Sequence, residues 1–393
     1  MRGRGKRIRS AYDSAARRAR GTTIAALGIA VFFVAGCGSG APDVPQQDAS
    51  VSDALGGENA EGYSRAYRPR PFVFPDDHGP HEDYRNEWWY LTGNLTTERG
   101  RRFGYQLTLF RIALSPETPA DDSLWRTRQL YMGHFALTDV EAGKHRAFER
   151  FSRGAIGLAG ARAEPFRVWL EDWSISAKHD GVFPLAVQAS EEKVSVQLTI
   201  PGGPPPVLQG ERGLSRKSSE LGNASYYYSY TRLPTEGTVE IDGERFRVNG
   251  SSWLDREWST SVLGAGQTGW DWFALQLDDG RDLMYYRLRG AGGGADSHSQ
   301  GIIRAPDGRV TPLSSASVTL KELETWTSEA TGDRYPTSWR LSVPSEEIDI
   351  EARAVLPNQE MRLTVRYWEG AVDVSGSASG QGYLEMTRYK IDP

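Results

Sequence analysis

Residues 86–105 read NEWWYLTGNLTTERGRRFGY, and residues 268–285 read TGWDWFALQLDDGRDLMY. In the first stretch Trp88-x-Tyr90 is followed by Leu95, Gly100, Arg101, Phe103 and Tyr105. In the second, Trp270-x-Trp272 is followed by Leu277, Gly280, Arg281, Leu283 and Tyr285. The leucine falls seven residues after the first Trp in both, and the turn is two residues longer in the first. Apolar–polar alternation around a glycine turn predicts a β-hairpin with aromatics on one face of the incoming strand. Its recurrence predicts a duplicated unit, two similar β-barrels in tandem. Coincidence is the competing reading, since aromatic hairpins are common.

The remaining chain from Tyr63 extends this pattern. Alternating runs occur at Arg102 to Arg111, Val194 to Ile200, Thr238 to Val248, Arg340 to Val343, Ile348 to Val355 and Met361 to Tyr367, and Tyr226, Tyr228 and Tyr230 would share one strand face. Asp242-Gly243, Asp279-Gly280, Asp307-Gly308 and Pro201-Gly202-Gly203 supply turns between them. Residues 201–206 read as a proline-rich loop and 290–300 as a glycine-rich one. The whole has 12 Trp, 17 Tyr, 13 Phe, 43 Gly and 21 Pro in 393 residues, a composition of strands and turns. The fold class is therefore all-β, two antiparallel barrels or sandwiches.

The N-terminus differs. Residues 1–20 carry eight basic side chains against Asp13; an apolar run from Ile24 to Ala35 and then Val34-Ala35-Gly36-Cys37 follow. A basic segment, a short apolar segment and small residues before a cut site form a secretory signal. Small residues directly before cysteine resemble a bacterial lipobox, with Cys37 as the lipidated first residue. The competing reading is a transmembrane anchor, but the run is shorter than the ~20 residues of a span. The chain's formal charge of -5 becomes -12 once residues 1–36, which carry +7, are set aside. That acidic body argues against nucleic acid as a partner. Cys37 is the only cysteine, which excludes an internal disulfide framework and Cys-rich metal sites. The expected layout is a lipoprotein signal peptide at 1–36, a flexible Gly/Ala/Ser/Asp tether at 37–62, one barrel domain at 63–258 and a second at 259–393. The protein would face the periplasm or exterior of a bacterial envelope, anchored to a membrane through its lipid.

Chemistry concentrates where tryptophans meet acids. Asp255 and Glu257 in SWLDREWS stand two apart, so both share a strand face with Trp253, and Arg256 faces the other way. Two carboxyls among aromatic rings can be driven apart in pKa to act as acid and base, as hydration of an isolated double bond requires. The bland alternative pairs them with an arginine such as Arg111 or Arg287. Glu87, Trp88, Trp89, Tyr90, His134, Trp253, Arg256, Trp258, Trp270, Trp272, Tyr285 and Arg287 are the expected ligand-binding set, lining a barrel interior suited to an elongated apolar molecule. Packed core is the alternative for each ring, and for His134 a satisfied wall histidine. His78-Gly-Pro-His81 among Asp76, Asp77, Glu82 and Asp83 reads as a polar loop, with a mixed metal site as the lesser alternative; no metal or cofactor is expected.

FPDDHGPHEDYRNEWWYLTGNL, SSWLDREWS, GWDWFALQLDDGRDLMYYRLR and GQGYLEMTRY together resemble the AttH/carotenoid 1,2-hydratase-like lipocalin proteins over residues 70–391. The resemblance implies two lipocalin-like (calycin) barrels in tandem. It places Glu87 to Tyr90, Trp253 with Asp255 to Ser259, Trp270, Trp272, Gln276 and Leu277, and Gly382, Tyr383 and Glu385 on family motifs; Arg388 stands where a glycine is usual before Tyr389. It implies the AttH side of the family, an exported lipid-anchored protein binding a hydrophobic, isoprenoid or lipid-like molecule, with ABC transport components as possible partners. The alternative it carries is a carotenoid 1,2-hydratase-like hydro-lyase using Asp255 and Glu257. A third reading is an envelope interaction protein with filled barrels.

Overall fold

The computed structural model describes residues 60–117, 123–261, 263–387 and 389. The expected signal peptide, Cys37 and all but the last three residues of the expected tether lie outside them.

Two antiparallel sheets account for the described chain. The first runs from Asn86 to Ser259, with strand order, by residue range, 144–153, 129–139, 102–113, 86–96, 244–259, 224–241, 194–200, 185–191, 173–177, 167–170 and 159–162. The second runs from Gln267 to Thr387, in the order 310–314, 300–304, 282–290, 267–277, 380–387, 366–376, 348–354, 334–343 and 319–327. In each, the opening strand of the unit (Asn86–Thr96 and Gln267–Leu277) pairs on one side with its hairpin partner and on the other with the unit's last strand. The two sheets are therefore curled around their own cores in the same topology, as tandem barrels. The hairpin turns arise where the sequence places them: Gly100 and Gly280 both adopt φ near +85° and close Thr97 to Arg101 and Leu277 to Arg281. Two alternating runs are each divided between strands: Thr238 to Val248 turns at Asp242-Gly243, between 224–241 and 244–259. Met361 to Tyr367 is split, with Glu360–Arg362 folded back antiparallel against Arg366–Gly376.

Both interiors are packed. The first holds Trp89, Leu91, Leu107, Leu109, Phe135, Trp173, Tyr226, Tyr228 and Trp258; the second holds Phe273, Leu275, Tyr285, Tyr335, Trp339, Trp368 and Leu384. The opposite face of each opening strand is buried too, because the barrels meet there. Tyr90, Tyr227 and Trp253 of the first pack with Trp272, Met284, Tyr286 and Tyr383 of the second. Asn94 donates to the Gly382 carbonyl (3.1 Å), Thr231 to Asp282 (2.6 Å) and Gln276 to the Thr231 carbonyl (2.7 Å), so the interface is tied by hydrogen bonds as well as by apolar area.

Gly104 marks a close approach of the two barrels. A Cβ there would stand 2.8 Å from both the Ala371 methyl and the Tyr383 hydroxyl. Gly104→Val should therefore push the barrels apart and destabilise by about 1–3 kcal/mol, as overpacking does. Urea unfolding of the variant checks this; an unchanged midpoint would mean the interface yields freely.

Candidate active site between the barrels

The strand register builds a cavity from two equivalent walls. Around the opening strand of the first barrel, Tyr90 lies opposite Asp255, and Trp88 opposite both Glu257 and Phe110. Around that of the second, Trp272 lies opposite Glu385, and Trp270 opposite Leu288. One strand further on, Tyr227 stands beside Glu257 and Tyr367 beside Thr387. Thus Trp88 matches Trp270, Tyr90 matches Trp272, Asp255 matches Glu385, Tyr227 matches Tyr367 and Phe110 matches Leu288. All ten line one cavity of about 800 Å³, mouth included, together with Lys217, Glu257, Ser259, Ser261 and Tyr286. The cavity lies between the barrels, with the internal repeat facing itself across it.

Two of its carboxyls are poised near neutrality. Asp255 accepts from Ser229 (2.5 Å) and Trp253 (2.7 Å) at Oδ1 and from Tyr227 (2.5 Å) at Oδ2. Burial pushes its carboxyl up to about 7 despite those donors, with the neighbouring Glu257 charge adding to the rise. Glu385 accepts one bond, from Trp270 Nε1 at 2.6 Å. Burial, with the charges of Asp255 and Glu257, pushes it up to about 7 as well. Equivalent positions in the duplicated fold thus hold two coupled acids, one carrying three donors and the other one.

Glu257 has a different setting. Lys217 Nζ lies 2.9 Å from it, and Ser225 donates to the same oxygen. Burial works against the Lys217 charge, but Glu257 and Tyr286 more than offset it and leave the ammonium above its ordinary range. Lys217 also stands over the Tyr286 ring at 4.3 Å. The pair is a fixed charge couple at one side of the cavity.

Phenols connect the walls. Trp272 of the second barrel donates to the Tyr227 hydroxyl (3.1 Å), which donates to Asp255, so the acid is oriented across the interface. Tyr367 is 2.8 Å from His134 Nδ1 of the first barrel, whose Nε2 is 3.1 Å from Glu149. Glu369, opposite Glu385 in the ladder, is buried; burial and then the Glu385 charge push its carboxyl well above the usual range.

Of the residues expected from sequence, the structure brings Asp255, Glu257, Trp88, Tyr90, Trp270 and Trp272 into this cavity, with Trp253 and His134 directly behind its wall. Glu87, Trp89, Arg256, Trp258, Tyr285 and Arg287 point the other way. Strand alternation sends them into the barrel interiors, where they cannot reach the cavity. Glu87 is fully buried between Arg111 and Arg256 (3.0 Å) and takes His81 N–H at 3.0 Å. His81 stacks flat on Trp258 at 3.7 Å and reaches Asp77 at 3.0 Å, while His78 bonds Tyr228 at 2.6 Å. The His-Gly-Pro-His loop therefore closes the first barrel through an ion-pair network. Arg287 pairs with Asp271 (2.7 Å) over the Trp339 ring. The expected ligand space inside a barrel is likewise filled, and the open volume lies between barrels instead. The arginine pairing considered for Asp255 and Glu257 is absent among the described residues: Lys217 pairs with Glu257, and Asp255 is held by the neutral donors Ser229, Tyr227 and Trp253.

Sequence reasoning missed Lys217, Tyr227, Tyr286, Tyr367, Glu369 and the role of Glu385. Glu385 was within reach: it lies in GQGYLEMTRY, and extending the hairpin repeat to each unit's last strand aligns it with Asp255.

Comparison with known proteins agrees with this architecture. A family model described as AttH-like matches residues 65–389. The solved structure of a candidate AttH from Nitrosomonas europaea is 33% identical, superposes with a TM-score of 0.74, and covers 82% of this chain and 98% of its own. Kievitone hydratase from Nectria haematococca shares the fold at 15% identity and a TM-score of 0.63, over 84% of this chain and 97% of that one. Among curated proteins, the dehydratase asqC of Emericella nidulans is 24% identical over 243 residues, 57% of this chain. The match spans 64% of that relative's length. With the family model covering both barrels, this chain belongs to the AttH-like family.

Proposed function

We propose that the cavity between the barrels is the active site of a hydro-lyase, which adds water to or removes it from a largely apolar substrate. The observation that carries this reading is the pair of near-neutral carboxyls, Asp255 and Glu385, at equivalent positions of a Trp- and Tyr-walled cavity. Hydration needs one group to protonate carbon and another to take a proton from the attacking water. With both carboxyls near 7, each is about half protonated at pH 7, so the state in which one is acid and the other base is well populated. Asp255, with three donors stabilising its anion, is suited to the base role; Glu385, with a single donor, is suited to protonating carbon. The aromatic walls exclude bulk water and bind the apolar frame. The dehydratase and the kievitone hydratase among the relatives support the reaction class, and the substrate they act on is not transferred. A carotenoid or other isoprenoid alkene is the finer proposal, on the aromatic and apolar character of the walls. The same cavity would serve a carrier, and turnover separates the two readings.

The test incubates the purified chain with alkenes and the corresponding alcohols in 18O-labelled water. Label in the alcohol supports the proposal; saturable binding without label in any product favours a carrier. The pH dependence of kcat/KM should be bell-shaped with its maximum near 7, because activity needs one of the two carboxyls protonated and the other ionised. Activity that climbs to a plateau with pH would contradict the paired assignment.

We also propose export and lipid attachment at Cys37. Cys37→Ala should then lose metabolic labelling by a radioactive fatty acid.

A further inference from the structure

Large apolar side chains stand exposed at one end of the first barrel. Leu124 is 76% exposed, Trp125 70%, Leu114 60%, and Ile156 and Leu158 each 44%. Backbone bonds hold them together: Ile156 N–H donates to the Leu124 carbonyl (3.0 Å) and Leu114 N–H to the Arg128 carbonyl (2.7 Å). Arg126 and Arg153, both exposed, flank the group. With the exposed Glu117 beside Leu114, this is a local patch of apolar side chains with two basic residues against one acidic, in an otherwise acidic chain, a composition that seats in the headgroup region of a bilayer.

The path of the chain says which surface the patch meets. Tyr63 donates to the Ala113 carbonyl at 2.9 Å, and Gly62 lies so near Pro116 that a Cβ there would stand 2.8 Å from its ring. The described chain therefore enters the first barrel beside Leu114. Twenty-two residues separate Ala60 from Cys37, at most roughly 80 Å of extended chain. An acyl chain on Cys37 would hold this end of the molecule near the membrane.

We propose that the patch of Leu114, Leu124, Trp125, Ile156 and Leu158 docks on the lipid surface, giving the single anchor a second point of attachment. A contact made by the body itself sets the orientation of the first barrel on that surface. Docked this way, the first barrel sits on the bilayer by the edge where the chain enters. The proposal is independent of the hydro-lyase reading and rests in part on the Cys37 reading, which brings this end of the molecule to the membrane.

The test places the photoreactive residue p-benzoylphenylalanine at Trp125, and as a control at Val310 of the second barrel, in the full chain. Each protein is irradiated on vesicles of phosphatidylethanolamine and phosphatidylglycerol containing a radioactive phospholipid. The proposal expects lipid adducts at position 125 at least tenfold above those at 310. Equal labelling, or none at 125, overturns it. An adduct between two copies of the chain overturns it in favour of a dimer face. Repeating the experiment with Cys37→Ala separates the two claims: a variant that still crosslinks lipid at 125 supports the patch even if no lipid is found on Cys37.

Discussion

Asp255→Asn is expected to lower turnover of a hydro-lyase substrate by about 10²–10⁴-fold, the range for loss of a general acid or base. Glu385→Gln should do the same. The expectation rests on both carboxyls lining the cavity with their pKa values pushed up to about 7 by burial. The fold should survive, and its pH dependence shows why. An acid whose folded pKa exceeds its unfolded value binds its proton more tightly when folded. The stability it carries is complete below about pH 4, where the unfolded group also holds its proton, and is lost as pH rises towards 7. Above that range the buried anion is a liability. Asp255→Asn removes the charge while keeping the shape and an acceptor for Ser229 and Trp253. The variant should therefore be inactive yet at least as stable as the parent at pH 7.5. Kinetics and urea unfolding on the same preparation check this. Loss of activity together with loss of folding would mean that Asp255 is structural.

The opposite pattern is expected at Glu87. Glu87→Ala should destabilise by about 3–5 kcal/mol, because it leaves Arg111 and Arg256 buried without their counter-ion. Burial alone would raise the Glu87 carboxyl, but Arg111, His81 and Arg256 outweigh it and hold it well below the usual range. Its folded pKa is thus depressed. The stability it contributes is complete above its unfolded value near 4 and is lost as pH falls below that. Acid unfolding of the parent should therefore begin below pH 4 through this network, with Asp77, also held low, contributing in the same direction. Glu87→Ala should unfold far earlier in urea at pH 7 and show a flatter acid limb. A midpoint within about 1 kcal/mol of the parent, the value of an exposed pair, would show that the network is solvated.

These two carboxylates explain what could be read from the sequence. The fold was legible because the Trp-x-aromatic hairpin recurs with its leucine and glycine in place, and because strand alternation is local. The site was half legible for the same reason. Alternation gives parity, so Asp255 and Glu257 were correctly set on one face with Trp253 and against Arg256. It does not say which parity faces outward when both faces are buried. Trp88 and Trp89 illustrate this: adjacent and both sheltered, they sit on opposite sides of the sheet, one at the cavity and one in the core. The second barrel covers the outer face of the first, so the usual polar-out signal is missing. Lys217, Tyr227 and Tyr367 reach the site through ladder register between distant segments, which no spacing rule encodes.

The hydro-lyase chemistry turns on two carboxyls of the cavity, Asp255 and Glu385, titrating near neutrality. Carbon-13 NMR of the full chain labelled at Asp and Glu carboxyls, assigned with Asp255→Asn and Glu385→Gln, measures it directly. Midpoints near 7 are expected for both residues, with a lower midpoint for Glu385 once the Asp255 charge is removed. Midpoints near 4 for both, each indifferent to the other's replacement, would contradict it.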